Sequence, residues 1–267
     1  MCKSRSIGPG QLTARGNKEM PPLIGCCGWS EAQARYFAHF PVIEIQSTFY
    51  DPPAPKVAAR WRALAPPGFT FCIKAWQLIT HAPSSPTYRR LRSPVDPADR
   101  PLLGSFQDTQ QVWRAWQKTH EIVELLRAAV VVFQCPASFQ PVPANLRNLS
   151  RFFQKVGRQS FRIAWEPRGA WPPELIHQIC AEHGLIHCVD PFVNNSVYGG
   201  ALYWRLHGKG TYSYHYSDED LGQLNKMLAL QQTDRPAYVL FNNVSMKDDA
   251  HRFMQQTPIS LAGSRRS

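Results

Sequence analysis

Eight short apolar runs recur along this chain, each followed by an amphipathic or polar stretch, and this alternation restricts its fold most. The runs are Leu23–Cys27, Val42–Gln46, Phe69–Lys74, Val130–Gln134, Phe161–Glu166, Leu185–Asp190, Leu202–His207 and Ala237–Asn242. Several are almost unbroken in apolar residues, as strands covered on both faces must be; a strand with one wet face would alternate. Strands that alternate with helical segments build parallel sheets, because a parallel neighbour is reached only by crossing back over the sheet. Eight such units in 267 residues fit one α/β domain, a single (β/α)8 barrel of the TIM type.

The segments between the runs carry helix punctuation. Asp108 with Gln111 resembles a capping box, and Val112, Trp113, Trp116, Val123 and Leu126 then form an apolar stripe. Leu146, Leu149, Phe152, Phe153 and Val156 form another before Gly157. Pro172-Pro173 opens a helix that Gly184 closes, and Ser217 with Asp220 opens one more. The long connection is Gln77 to Gln107, after the third strand. It is Pro-rich, carries Arg89, Arg90 and Arg92, and is expected to be either functional or mobile. The expected organisation is a flexible basic tail over residues 1–22, the barrel over 23–257 and a second tail over 258–267. Met20 directly before Pro21-Pro22 raises the hypothesis that translation starts there.

Composition closes off several classes. With 43% hydrophobic and 18% charged residues the chain is not of a disordered kind, and no run is long enough for a membrane helix. The seven cysteines have no C-x-x-C spacing, which argues against a zinc ribbon or a redox pair and for buried reduced thiols in a cytoplasmic protein. A formal charge of +11 points to an anionic partner. Between Glu124 and Glu166 there is no acidic residue, and Arg147, Arg151, Lys155 and Arg158 share a helical face that is either solvated or a nucleic-acid contact. No Gly-rich phosphate loop or dinucleotide fingerprint is present.

In a (β/α)8 barrel the chemistry lies where strands end. Those positions hold Glu44, Lys74, Gln134, Glu166 with Arg168, Asp190, Arg205 with His207, and Asn242 with Asn243. Burying a polar group without a partner costs roughly 2–7 kcal/mol, so a ring of them is not accidental, although pairs such as Glu44 with Lys74 could simply plug the barrel. Three cations (Lys74, Arg168, Arg205) would face three carboxylates (Glu44, Glu166, Asp190). A guanidinium fork suits phosphate or carboxylate, and carboxylates in unlike environments supply an acid and a base.

A resemblance then becomes specific. Gly25-Cys26-Cys27-Gly28-Trp29, Glu44-Ile45-Gln46-Ser47-Thr48-Phe49-Tyr50, Lys74 with Thr80-His81, and Phe133-Gln134-Cys135-Pro136 look like successive motifs of the YecE/YunF-like family, domain of unknown function 72. So do Trp165-Glu166-Pro167-Arg168, Arg205-Leu206-His207-Gly208 with Tyr212 and Tyr216, and Phe241-Asn242-Asn243. The resemblance runs from about Leu23 to Met254 in order, and it implies the barrel while leaving the activity open. It departs at Cys26-Cys27, where the family has two hydroxyl residues, at Gln46, where Asn is usual, and at Pro167, where Phe is often seen. Trp29, Tyr50, His81 and Tyr212 lie within those motifs and join the strand-end residues Gln134, Arg168, Arg205, Asn242 and Asn243 as candidate substrate-binding residues, the aromatics either stacking a sugar or base or packing against loops.

Three readings follow. The leading one is a phosphoester hydrolase acting on a phosphorylated or otherwise anionic substrate, including nucleic-acid ends. Glu166 is then base or metal ligand, Glu44 and Asp190 its partners, Lys74, Arg168 and Arg205 the charge clamp, and His207 the acid. One divalent ion on Glu44, Glu166, Asp190 and His207 is the candidate cofactor; a trinuclear zinc site of the apurinic endonuclease kind would need more strand-end histidines. The second reading is a metal-free lyase or isomerase of a sugar-like compound with Lys74 as its centre. The third is a nucleic-acid-binding protein without catalysis. Substrate and oligomeric state have no signal in the residues.

Overall fold

The computed structural model describes residues 20–231 and 235–257, so the two expected tails lie outside it apart from Met20 to Pro22. Eight parallel strands are present: β1 Leu23–Cys27, β2 Val42–Ile45, β3 Thr70–Lys74, β4 Val130–Gln134, β5 Arg162–Glu166, β6 Ile186–His187, β7 Leu202–Leu206 and β8 Ala237–Phe241. The helices are α1 Gln33–His39, α2 Ser47–Tyr50, α3 Pro55–Leu64, α4 Gln77–Thr80, α5 Gln110–Leu126, α6 Pro143–Val156, α7 Pro173–His183, α8 Asp218–Gln231 and α9 Met246–Gln256. The strands pair in the order β6-β5-β4-β3-β2-β1-β8-β7, and a bridge between Val189 and Trp204 joins the two ends into a ring. The (β/α)8 barrel expected from the alternation is the fold.

Side-chain parity explains where everything goes. In a strand, alternate residues face opposite sides. Cys27, Val42, Cys72, Val130, Val132, Ala164, Ile186, Cys188, Tyr203, Tyr238 and Leu240 pack on one another inside the ring. Their neighbours of opposite parity, among them Ile43, Phe71, Val131, Phe133, Trp165, Trp204 and Phe241, pack outward against the helices. Cysteine at three inward positions is small apolar filling. All six described cysteines are buried and free, and burial pushes the thiols of Cys26, Cys135 and Cys180 up to about 12.

Three local expectations change. The sixth strand is two residues long, because the loop before β7 hydrogen-bonds in its place: the His187 N–H donates to Tyr198 O at 2.9 Å. The cap of α5 is Thr109, whose Oγ1 accepts from the Val112 N–H at 3.3 Å, and not Asp108. Asp108 instead accepts from Trp113 Nε1 at 2.8 Å and from Lys155 Nζ at 2.6 Å, so Lys155 on the basic face of α6 is ion-paired. The long connection is stitched down: the N–H groups of Gly104 and Phe106 donate to Leu78 O and Ile79 O at 2.8 Å each, and Phe106 is fully buried among Phe133, Phe139 and Phe152. The punctuation at Gly157, Gly184 and Ser217/Asp220 is as expected.

Candidate functional site

Extending the inward parity beyond the apolar interior by one more step places Glu44, Lys74, Gln134, Glu166, Arg205 and Asn242 at the C-terminal mouth, with Asp190 and His207 just above them. The centre of this layer is Arg205, 1% exposed. Its guanidinium donates to both oxygens of Glu44, Nε to Oε2 at 3.0 Å and an η-nitrogen to Oε1 at 2.9 Å. Its other η-nitrogen lies 2.5 Å from Glu166 Oε2. Tyr203, two residues earlier on the same face of β7, adds its hydroxyl to Glu44 Oε2 at 3.0 Å. Glu166 Oε1 accepts from Arg168 Nε at 3.0 Å and from Gln134 Nε2 at 3.0 Å.

Two guanidiniums and two carboxylates therefore neutralise one another, which is the condition for burying any of them. Burial alone would raise the Glu166 carboxyl, yet Arg205 and then Arg168 hold it well below the usual carboxylate range. Arg205 is likewise held well above its ordinary value by Glu166 and Glu44 despite burial. Glu44 pairs with Arg205, not with Lys74.

Lys74 stands outside this balance. It is 4% exposed, its Nζ donates to the neutral amide oxygen of Gln134 at 2.7 Å, and it lies 3.9 Å from the centre of the Phe49 ring. Burial, and then Arg205, bring its ammonium down from 10.5 to about 7, with Glu44 and Glu166 only partly opposing them. His81, behind Phe49 and in contact with Thr80 Oγ1 at 2.7 Å, is brought down to about 3 by burial and by Lys74, and stays neutral.

The mouth opens into a cleft of about 1030 Å³. Its walls include the cations Lys74, Arg90, Arg92, Arg168 and Arg205, the single carboxylate Asp51, the aromatics Tyr50, Trp61 and Tyr212, and the amides Gln46, Gln134 and Asn242. Arg90, from the long connection, stacks at 3.7 Å over Tyr50, whose carbonyl is fixed by Trp76 Nε1 and Gln77 Nε2 at 3.2 Å each. Gln46 donates to Asn242 Oδ1, and the Tyr212 hydroxyl stands 3.4 Å from the same atom. A second hollow of about 630 Å³ over β6 and β7 shares Arg168, His207 and Tyr212 with the first.

Several expected site residues lie elsewhere or do other work. Asn243 has outward parity, and its Nδ2 donates to Tyr214 O at 2.7 Å and Asp249 Oδ2 at 2.6 Å, tying a loop to α9. Trp29 packs edge-on against Tyr36, Phe37 and Trp61 and does not line the cleft. Asp190 accepts from the backbone N–H groups of Phe192 at 3.0 Å and His207 at 2.9 Å. His207 Nε2 faces Arg168 at 3.2 Å and Arg205 at 3.4 Å, both obligate donors, so the ring proton belongs on Nδ1, 3.6 Å from Asp190. His207, which lines both hollows, thus faces two cations through Nε2.

The four candidate metal ligands do not converge. The oxygens of Glu44 and Glu166 are taken up by Arg205, Arg168, Tyr203 and Gln134, and the Arg205 cation sits between the two carboxylates. This donor set does not fit a divalent ion. Tyr203 and Trp61 were missed in the sequence reading, and Arg90, Arg92, Gln46 and Asp51 were not assigned to the site. Strand parity alone would have found Tyr203; Gln46 directly follows β2, Trp61 comes from α3, and Asp51, Arg90 and Arg92 depend on how the loops fold back.

A family model described as a protein of unknown function, DUF72, matches residues 23–264. The UPF0759 protein YunF of Bacillus subtilis (strain 168) is 23% identical over 270 residues, covering 85% of this chain and 90% of that protein. A DUF72 family protein from Enterococcus faecalis V583 superposes with a TM-score of 0.67 at 20% identity, over 90% of this chain and 96% of that one. One from Thermotoga maritima MSB8 does so with a TM-score of 0.63 at 18% identity, over 88% and 98%. Motifs, barrel and matched length agree, and the chain belongs to the DUF72 family.

Proposed function

We propose that this barrel is an enzyme that holds a small phosphorylated or carboxylated carbonyl compound in its cleft and works on it with Lys74, as a metal-independent lyase or isomerase. The observation that carries this is the state of Lys74: a buried amine titrating near 7, hydrogen-bonded to a neutral amide, at the floor of a cleft with five cations and one carboxylate on its walls. An amine that is partly neutral at physiological pH is a nucleophile, whereas an ordinary lysine is almost wholly protonated. Nζ attacks the carbonyl carbon, the C–N bond forms, and the carbonyl oxygen leaves as water after taking up two protons. The resulting iminium draws electrons from the neighbouring carbon, which weakens a C–H or C–C bond there.

Arg90, Arg92 and Arg168 suit the anionic group. Arg168 is 44% exposed in its side chain while its inner edge remains on Glu166, so its outer edge faces the cleft. Asn242, Gln46 and Tyr212 offer donors and acceptors for substrate hydroxyls. The hydrolase reading needed Glu166 as a free base or metal ligand, and the two guanidiniums on it weigh against that role. The same cations serve a phosphate under either chemistry.

Borohydride reduction in the presence of phosphorylated aldehydes and ketones, followed by intact mass and peptide mapping, tests the reading. An adduct on Lys74 that disappears in Lys74→Met and persists in Lys118→Met is expected. Binding of such a compound in the cleft with no reducible adduct on Lys74 would remove the Schiff-base chemistry.

A further inference from the structure

Away from the mouth, the first and last helices of the barrel meet. Glu31 precedes α1, His39 ends it, and His251 lies midway along α9. One ligand atom of each lies within 4.8 Å of the others, and among the described residues this is where three metal-ligating side chains come together. His39 Nδ1 stands 2.8 Å from Glu31 Oε1. The imidazoles of His39 and His251 are 5.1 Å apart at 74°, and His251 rests on the buried ring of Phe40 at 4.5 Å.

We propose that Glu31, His39 and His251 form a binding site for a late divalent transition metal, of which zinc is the prime case, joining α1 to α9 across the seam where the barrel closes in sequence. Two imidazoles and one carboxylate oxygen are the donor set such ions prefer over magnesium or calcium, which seek oxygen. Metal–ligand bonds of about 2.0–2.1 Å in a tetrahedral site put donor atoms about 3.4 Å apart. The observed spacing reaches this by small side-chain rotations, and the 2.8 Å contact lengthens once the ion replaces the shared proton.

Charge supports the site. The Glu31 side chain is 7% exposed, and its carboxylate lies between His39 and Lys247. Lys247 Nζ sits 3.2 Å from Oε2, leaving Oε1 for an ion and steadying the carboxylate from behind. The side chain of His39 is 43% exposed, which gives an ion its entry and leaves room for water as a fourth ligand.

The test uses the full chain with any affinity tag removed. Zinc is titrated against a chromogenic chelator, and cobalt absorption is recorded in parallel. One equivalent is expected to bind, with affinity falling about tenfold or more in His39→Gln and in His251→Ala, at least the loss that removal of a mere supporting group causes. His207→Ala should bind as the parent does. The cobalt complex should lack a thiolate charge-transfer band, and zinc should raise the melting temperature of the parent but not of His251→Ala. Absence of saturable binding, binding unchanged by His39→Gln and His251→Ala, loss of binding in His207→Ala, or a thiolate band would overturn the proposal.

Discussion

The two halves of the barrel mouth use the same kinds of residue in opposite ways. Around Arg205 of β7, the residues Arg205, Glu44, Glu166 and Arg168 form a closed set of ion pairs with no net charge, Arg205 reaching across to Glu44 of β2. On the side of β3 and the long connection, Lys74, Arg90 and Arg92 have no carboxylate partner among the described residues. A charge at a strand end therefore does not by itself mark function. A buried charge that is fully paired belongs to the framework, and a cation left over beside it is available for a ligand.

The largest effect should come from breaking the paired half. Arg205→Met leaves two buried carboxylates without their cation and should cost about 3–5 kcal/mol in urea unfolding. Adding Glu44→Gln should recover part of that loss, and full additivity of the two changes would show that they are not one network. Glu166→Gln should cost less, about 2–3 kcal/mol, since its second partner Arg168 is half exposed. The sign with pH follows from the lowered Glu166 carboxyl. Its contribution is present above the unfolded value near 4.5 and fades as pH falls below it, so parent and Glu166→Gln should converge in acid.

The unpaired half should respond in the other direction. Lys74→Met removes a buried cation and should be neutral or stabilising by up to about 2 kcal/mol at neutral pH, while abolishing turnover. Because Lys74 titrates near 7 when folded and near 10.5 when unfolded, the parent should gain stability on Lys74→Met as pH rises from 7 to 10.5. A constant difference across that range would place the folded value of Lys74 near its ordinary one. The smallest effect is Arg90→Ala, which loses only a surface stack on Tyr50, worth about 0.5–1 kcal/mol, yet should weaken anion binding measurably.

Much of this was legible in the residues. The eight apolar runs set the barrel, and inward parity places Glu44, Lys74, Gln134, Glu166, Arg205 and Asn242 in one layer. Parity also explains two errors: Asn243 fails because it follows an inward Asn242, and Tyr203 was passed over although it precedes Arg205 by two. Which charge pairs with which was not legible. Glu44 is bonded in register beside Cys72 on β3, two residues from Lys74, yet Arg205 from β7 reaches across the barrel to take it. Such a choice depends on side-chain length across a closed ring, which strand-by-strand reading does not contain. The contribution of Arg90 and Arg92 depends on the path of the stitched connection, fixed by burial of Phe106 far from either arginine in sequence.

The most direct test of the division between framework and ligand half is inorganic phosphate binding, followed by calorimetry on the parent and on the double variant Arg90→Ala/Arg92→Ala. The account predicts saturable binding to the parent that weakens about tenfold or more in the double variant, with unfolding stability nearly unchanged. Equal phosphate binding by both proteins would contradict it, since the unpaired arginines on the wall of the cleft would then have no part in holding the ligand.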